Sequence, residues 1–141
     1  MNDPFNLERF VQAQQGVYEQ AIRELQAGNK QGHWIWFIFP QIRGLGMSST
    51  SQRYAIQSLD EAEAYLSHPI LGERLREFTS IVNKITGISA ESIFGSLDAM
   101  KFRSSITLFA IASPEDEQFK SALEKYFNGS ADQRTLDLLG S

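Results

Sequence analysis

The residues best suited to chemistry lie in a stretch of 35 residues, 25–59, that contains no Asp or Glu. The basic side chains of this acid-free segment are Lys30, Arg43 and Arg53, and the segment also holds His33. Its formal charge is +3, whereas the whole chain carries −4 from 13 Lys and Arg against 17 Asp and Glu, which leaves −7 for the remainder. This contrast favours a small anionic ligand, because the rest of the surface would repel a polyanion.

A glycine-rich loop, residues 40–51, is the first candidate site. Gly44 and Gly46 allow the backbone to approach a ligand closely and to adopt positive φ. The polar side chains of the loop and the residues after it are those of Gln41, Arg43, Ser48, Ser49, Thr50, Ser51, Arg53 and Tyr54. The hydroxyls and a helix N-terminus near Ser51 predict a phosphate or carboxylate site, with a bidentate guanidinium from Arg43 or Arg53.

Two features of this loop favour a more ordinary interpretation. A run of Ser and Thr is also typical of a flexible loop with a helix cap. The Gly-x-Gly pattern lacks the third glycine of the dinucleotide fingerprint and the lysine of the P-loop that binds phosphates in nucleoside triphosphatases. Both interpretations stay open at this point.

An aromatic run precedes the loop, since four of the six residues 34–39 are aromatic. Trp34 or Trp36 would provide a stacking wall for a ligand, although large aromatic side chains more often supply core packing. His33 is a candidate for acid–base work, a role that proteins often give to histidine, but a satisfied, partly buried histidine is the simpler alternative. The run itself fits a buried strand or a buried helix, and its aromatic and β-branched content favours a strand.

A second candidate lies on a predicted central helix. Lys101, Ser104 and Ser105 fall at i, i+3 and i+4 and therefore share one face. A lysine on such an apolar helix either reaches solvent or meets an anion. Asp98 precedes Lys101 by three residues, so a simple ion pair is the favoured alternative.

Several classes of function are disfavoured. The absence of cysteine excludes disulfides, thiolate metal sites and cysteine nucleophiles, and two histidines without a ligand motif argue against zinc. We therefore expect no metal and no cofactor. The acidic balance argues against a nucleic-acid polymer or a membrane as partner, and we expect a cytoplasmic protein because no signal or transmembrane pattern is visible. The oligomeric state stays open.

The elements that must position these residues are helices. The length of 141 residues and the 42% hydrophobic content predict one domain, residues 1–141, with its own core. Apolar periodicity predicts an all-α, compact single-domain bundle of about seven helices, the first of them capped by Asp3 with Pro4 at its first position. The first predicted helix begins at Pro4, has its apolar stripe at residues 7–25 and is ended by Gly28 and Asn29. The others span residues 58–66, 69–85, 89–94, 97–112, 113–127 and 130–139.

Motifs along nearly the whole chain carry a family resemblance. They include residues 3–10 (DPFNLERF), 33–41 (HWIWFIFPQ), 44–48 (GLGMS), 68–72 (HPILG), 93–95 (IFG) and 98–109 (DAMKFRSSITLF). With these motifs the chain resembles the DUF1810 family of uncharacterised proteins, sometimes labelled calpastatin-like. The resemblance implies a compact, mostly helical bacterial protein, favours a helix for the aromatic run, and brings no established activity. Calpastatins are long disordered inhibitors, so the label does not fit a core-rich composition.

A shorter likeness is to the YbiA/NADAR-type proteins, which act on N-glycosidic bonds of riboside or ADP-ribose derivatives. It rests on residues 10–14 (FVQAQ), 123–127 (LEKYF) and 138–140 (LLG), and no catalytic residue is transferred. The leading hypothesis is a pocket for a small anionic ligand, nucleotide- or sugar-phosphate-like, near the aromatic run and the glycine-rich loop. The alternatives are a non-catalytic protein-interaction module and an N-glycosidase-type hydrolase.

Overall fold

The computed structural model describes residues 3–140, and helices account for nearly all of its regular structure. In chain order these helices are α1 (Glu8–Gln14), α2 (Tyr18–Gln26), α3 (Ile35–Ile38), α4 (Ser49–Arg53), α5 (Leu59–Ser67), α6 (Leu71–Lys84), α7 (Ala90–Phe94), α8 (Ser96–Ala112), α9 (Glu117–Phe127) and α10 (Gln133–Gly140). Seven of the ten helices in this range have seven or more residues, so the predicted all-α class is confirmed. None of the helices that residues 3–140 form is long and apolar enough to cross a membrane.

Helix α8 occupies the centre of the fold and packs against α3, α5, α7, α9 and α10. Six consecutive residues, 104–109, are buried, so all sides of the helix are covered along this stretch. The hydroxyl of Thr107 donates to the carbonyl of Arg103 at 2.8 Å, which satisfies one of the polar groups that this position buries. The apolar character of the segment predicts this central place, and the structure confirms it.

The aromatic run forms a single helical turn, and most of it enters the core. Trp34, Ile35, Ile38 and Phe39 are buried, whereas Trp36 remains half-buried. The ring of Phe39 lies 4.9 Å from that of Phe102 on α8, so the end of the run is anchored to the central helix. The run is therefore helical rather than a strand, and Trp36 is left on its outer side.

Three predicted helix starts are wrong, and one of them is that of α10, which begins at Gln133 rather than at Ser130. The carboxylate of Asp3 accepts hydrogen bonds from the backbone N–H of Leu7 at 2.8 Å and of Glu8 at 3.1 Å, so the first helix begins at Glu8 and Pro4 lies outside it. That helix is also shorter than predicted, because residues 15–17 separate α1 from α2. Helix α9 begins at Glu117 rather than at Ser113, since the Ser113 hydroxyl donates to Asp116 at 2.7 Å within a turn.

Glu24 at the end of α2 holds the loop that leads into the aromatic run. Its Oε1 accepts hydrogen bonds from the backbone N–H groups of Gln31 and Gly32 and from the indole of Trp34, at 2.8–2.9 Å. Its Oε2 accepts one from the side chain of Gln20 at 2.7 Å. Burial alone would raise the pKa of Glu24, but these four donors together lower it to about 2.

Acid should weaken this loop in a defined range. The pKa of Glu24 is about 2 in the folded protein, against an ordinary value of 4.5 for a glutamate side chain, so its contribution is complete above the unfolded pKa and is lost as the pH falls through the folded one. We expect the urea midpoint of the wild type to fall more steeply below pH ~4.5 than that of Glu24→Gln, whose side chain does not titrate. Glu63→Gln, at an exposed position of α5, should keep the wild-type profile; equal slopes for all three proteins would contradict the assignment.

Removal of the central aromatic ring should be costly. Phe102 is fully buried and lies 4.6 Å from the ring of Phe94 and 4.9 Å from that of Phe39. We expect Phe102→Ala to lower the free energy of unfolding by about 3–5 kcal/mol, because it removes buried surface and leaves a cavity. Ile111→Ala on the same helix, at a 37% exposed position, is the matched control. Urea denaturation followed by circular dichroism measures both, and similar losses would contradict the central role of Phe102.

Candidate functional site

Two adjoining cavities open where the aromatic run meets the glycine-rich loop. They have volumes of about 270 and 300 Å³ and share Trp36, Gln41, Gly46 and Ser51. We name the smaller one the Arg43 cavity; its other lining residues are Ile42, Arg43, Gly44, Gln52, Tyr54, Ala55 and Gln57. We name the larger one the Lys101 cavity; its other lining residues are Leu45, Met47, Ser48, Leu97, Met100, Lys101, Ser104, Asp132 and Arg134.

Trp36 lines both cavities. Its indole nitrogen is buried and has no hydrogen-bond partner among residues 3–140. An unsatisfied buried donor of this kind costs on the order of 1–3 kcal/mol. The ammonium of Lys101 lies 4.9 Å from the centre of the ring, which places a cation against the aromatic face. The shared wall therefore combines an aromatic surface with a donor that the protein leaves unused.

A pair of lysines shares one carboxylate beside this wall. Asp98 Oδ2 lies 2.5 Å from the ammonium of Lys30, and Asp98 Oδ1 lies 3.3 Å from that of Lys101. The predicted pair between Asp98 and Lys101 is thus present, but the same carboxylate also serves a second cation. The side chain of Lys30 is only 4% exposed and that of Lys101 is 29% exposed, so it is Lys101 that reaches the cavity. Asp98 is thus shared between the two ammonium groups.

A short parallel bridge holds the Arg43 cavity together. The backbone N–H of Arg43 donates to the carbonyl of Ile56, and the N–H of Ile56 donates to the carbonyl of Gln41, both at 2.8 Å. The Nε of Arg43 donates to the carbonyl of Gln57 at 3.2 Å, which orients the guanidinium. Its two terminal nitrogens have no hydrogen-bond partner within residues 3–140. The lining of this cavity contains no carboxylate.

The hydroxyls of the glycine-rich loop form a helix cap. Ser48 Oγ accepts from the N–H of Ser51 at 3.1 Å, and Ser51 Oγ donates to the carbonyl of Ser48 at 2.9 Å. The helix they cap, α4, starts at Ser49 and has only five residues. The cap interpretation of the Ser/Thr run is therefore correct, and the two serines line the cavities while bonded to each other.

The structure separates some predicted site residues from the cavities. His33 is exposed and does not line either cavity. Trp34 is fully buried, and its indole donates to Glu24 at 2.9 Å, so of the two tryptophans only Trp36 reaches a cavity wall. Arg53 is exposed in a separate depression, with its guanidinium 5.5 Å from the ring of Tyr54.

The two serines predicted on α8 have different surroundings. Ser104 lines the Lys101 cavity, and its Oγ lies 3.1 Å from Asp132 Oδ2. Ser105 is fully buried with no hydrogen-bond partner among the described residues, and it lines neither cavity. The shared helical face therefore brings Lys101 and Ser104 to the site but leaves Ser105 in the core.

Two charged residues of the Lys101 cavity were not predicted from the sequence. Asp132 and Arg134 lie at the start of α10, remote in sequence from the acid-free segment. Asp132 Oδ2 accepts from the hydroxyl of Thr135 at 2.6 Å and from its N–H at 3.0 Å, so this carboxylate is engaged within its own turn. Arg134 is exposed and makes no ion pair or hydrogen bond within residues 3–140. No local pattern signals this placement, because it depends on α10 packing against α8.

Gly46 is required by the packing of the loop. A Cβ at this position would lie 2.4 Å from Ser51 Oγ and 2.5 Å from Ser51 Cβ, closer than atoms can approach. We expect Gly46→Ala to destabilise the protein by about 1–3 kcal/mol, since the cap of α4 must shift. Gly16→Ala is the control, because a Cβ there meets nothing within 4 Å. Thermal denaturation compares them, and equal midpoints would show that the loop tolerates the added methyl group.

Comparisons with known proteins agree on one relationship. Residues 4–139 match the family model described as a protein of unknown function, DUF1810. A solved structure, that of the conserved hypothetical protein Rv1873 from Mycobacterium tuberculosis, is 52% identical and superposes with a TM-score of 0.97, with 99% of each chain covered. A search of curated proteins found no match. On these grounds the chain belongs to the DUF1810 family.

Proposed function

We propose that this is a cytoplasmic protein that binds a small anionic ligand, nucleotide- or sugar-phosphate-like, in the two adjoining cavities. One observation carries the proposal: Arg43, Lys101 and Arg134 line cavities that meet at Trp36, in a chain whose net charge is −4. Cations gathered at a cavity in an acidic protein attract a small anion through the local field.

The guanidinium of Arg43 offers hydrogen-bond donors to a ligand. The terminal nitrogens of Arg43 have no partner within residues 3–140, and a guanidinium fork matches the oxygens of a phosphate or carboxylate. The neutral part of a nucleotide or sugar phosphate would meet the side-chain amide of Gln41 in the Arg43 cavity. The amides of Gln52 and Gln57 also line this cavity, but each already donates one hydrogen bond to a backbone carbonyl. Amides of this kind hydrogen-bond sugar hydroxyls and base edges, because they both donate and accept.

A second candidate function has one observation in its favour. Met47, Leu97 and Met100 are 88%, 74% and 61% exposed, and all three line the Lys101 cavity. Large apolar side chains grouped at the surface are typical of protein-interaction sites. These residues support the alternative of a non-catalytic interaction module. Nothing in the cavity lining specifically favours the N-glycosidase hypothesis.

Calorimetric titration tests the proposed function. We expect adenosine 5′-monophosphate, ADP-ribose or glucose 6-phosphate to bind with measurable heat, and Arg43→Gln to weaken that binding about tenfold or more, because a charge-assisted hydrogen bond is lost. Arg23→Gln on α2, an exposed arginine remote from the cavities, should bind as the wild type does. If folded protein gives no heat at millimolar ligand, or if the two variants bind alike, the proposal is overturned and the interaction module becomes the better hypothesis.

A further inference from the structure

We infer that the ligand carries two anionic groups on different atoms of a neutral core, one group for each cavity. This inference rests on the proposed function and adds the chemical class of the ligand: a bisphosphate-type molecule rather than a monophosphate or a pyrophosphate. The arrangement of charge around Trp36 leads to it.

Each cavity has its own cationic residues. The Arg43 cavity has the guanidinium of Arg43 and no carboxylate, so its lining carries a charge of +1. The Lys101 cavity has Lys101 and Arg134 against Asp132, so its lining also carries +1. Asp132 Oδ2 already accepts hydrogen bonds from Thr135, which directs that oxygen toward the protein.

The wall between the two cationic regions is neutral. The four residues that both cavities share are Trp36, Gln41, Gly46 and Ser51, and none of them is ionised. The buried indole N–H of Trp36 has no hydrogen-bond partner among residues 3–140, and Gln41 adds a side-chain amide to the same wall. A neutral polar core bearing hydroxyls or ring nitrogens fits this wall, because it can pair with the amide and cover the ring.

The size of the cavities favours a ligand that spans both of them. Each has a volume of about 270–300 Å³, at the small end of the range of about 300–1,000 Å³ that is usual for ligand sites. A molecule with one anionic group would pair with the cation of one cavity and leave the other cation in water. Contiguous phosphates, joined through one atom of the core, would likewise gather in one cavity.

Three adenosine nucleotides separate these possibilities. Adenosine 3′,5′-bisphosphate has two phosphates on different ribose atoms, ADP has two contiguous phosphates, and adenosine 5′-monophosphate has one. We expect the bisphosphate to bind about tenfold or more tightly than either of the others in calorimetry, since only it forms charge-assisted bonds in both cavities.

Lys101→Met should lower the affinity for the bisphosphate more than the affinity for the monophosphate, because methionine keeps most of the length of lysine without its charge. Lys120→Met, at an exposed position of α9, is the matched control and should leave all three affinities unchanged. Circular dichroism confirms that each variant is folded before titration.

Two results would overturn the inference while the proposed function survives. The first is equal binding of ADP and the bisphosphate, because it would mean that only the total charge of the ligand matters. The second is an equal loss of monophosphate and bisphosphate affinity in Lys101→Met, because it would mean that the protein has a single anionic subsite. If none of the nucleotides, ADP-ribose or glucose 6-phosphate binds to the folded wild type, the proposed function fails and the inference fails with it.

Discussion

The burial of Phe102 in the middle of α8 is the packing constraint on which the fold depends. Its ring is stacked at 4.6 Å on Phe94 and meets the edge of Phe39 at 4.9 Å, so α7 and the end of the aromatic run are both fixed to the central helix. The single turn of α3 that precedes Phe39 buries Ile35 and Ile38. Trp36, on the other side of this turn, stays half-buried and lines the cavities.

Two carboxylates beside this packed centre position the neighbouring side chains in different ways. Glu24 accepts hydrogen bonds from the loop that enters the aromatic run and keeps Trp34 in the core. Asp98 joins a nearly buried lysine, Lys30, to a partly exposed one, Lys101. Because Lys30 and Lys101 share this carboxylate, the ammonium of Lys101 stays against the ring of Trp36 at the wall of the cavity.

The candidate site illustrates how far spacing along the chain can predict geometry. Arg43, Gly44 and Gly46 of the acid-free segment line one cavity together, because neighbouring residues of a single loop lie close in space. Lys101 and Ser104 follow from helical spacing, which is also local. The position of Arg134 does not follow, since it depends on contacts between elements about thirty residues apart in the chain.

The sequence by itself determined the all-α class, the C-terminal ends of most helices and the contrast between a positive segment and an acidic remainder. These properties arise from neighbouring residues: apolar periodicity, glycines that adopt positive φ at Gly28, Gly87 and Gly95, and the count of charges. Only the tertiary structure decided that Trp36 and not Trp34 lines a cavity, that His33 lies apart, and that α10 contributes to the site. Those outcomes depend on which faces of the helices pack together, and packing between distant elements is not encoded in any local pattern.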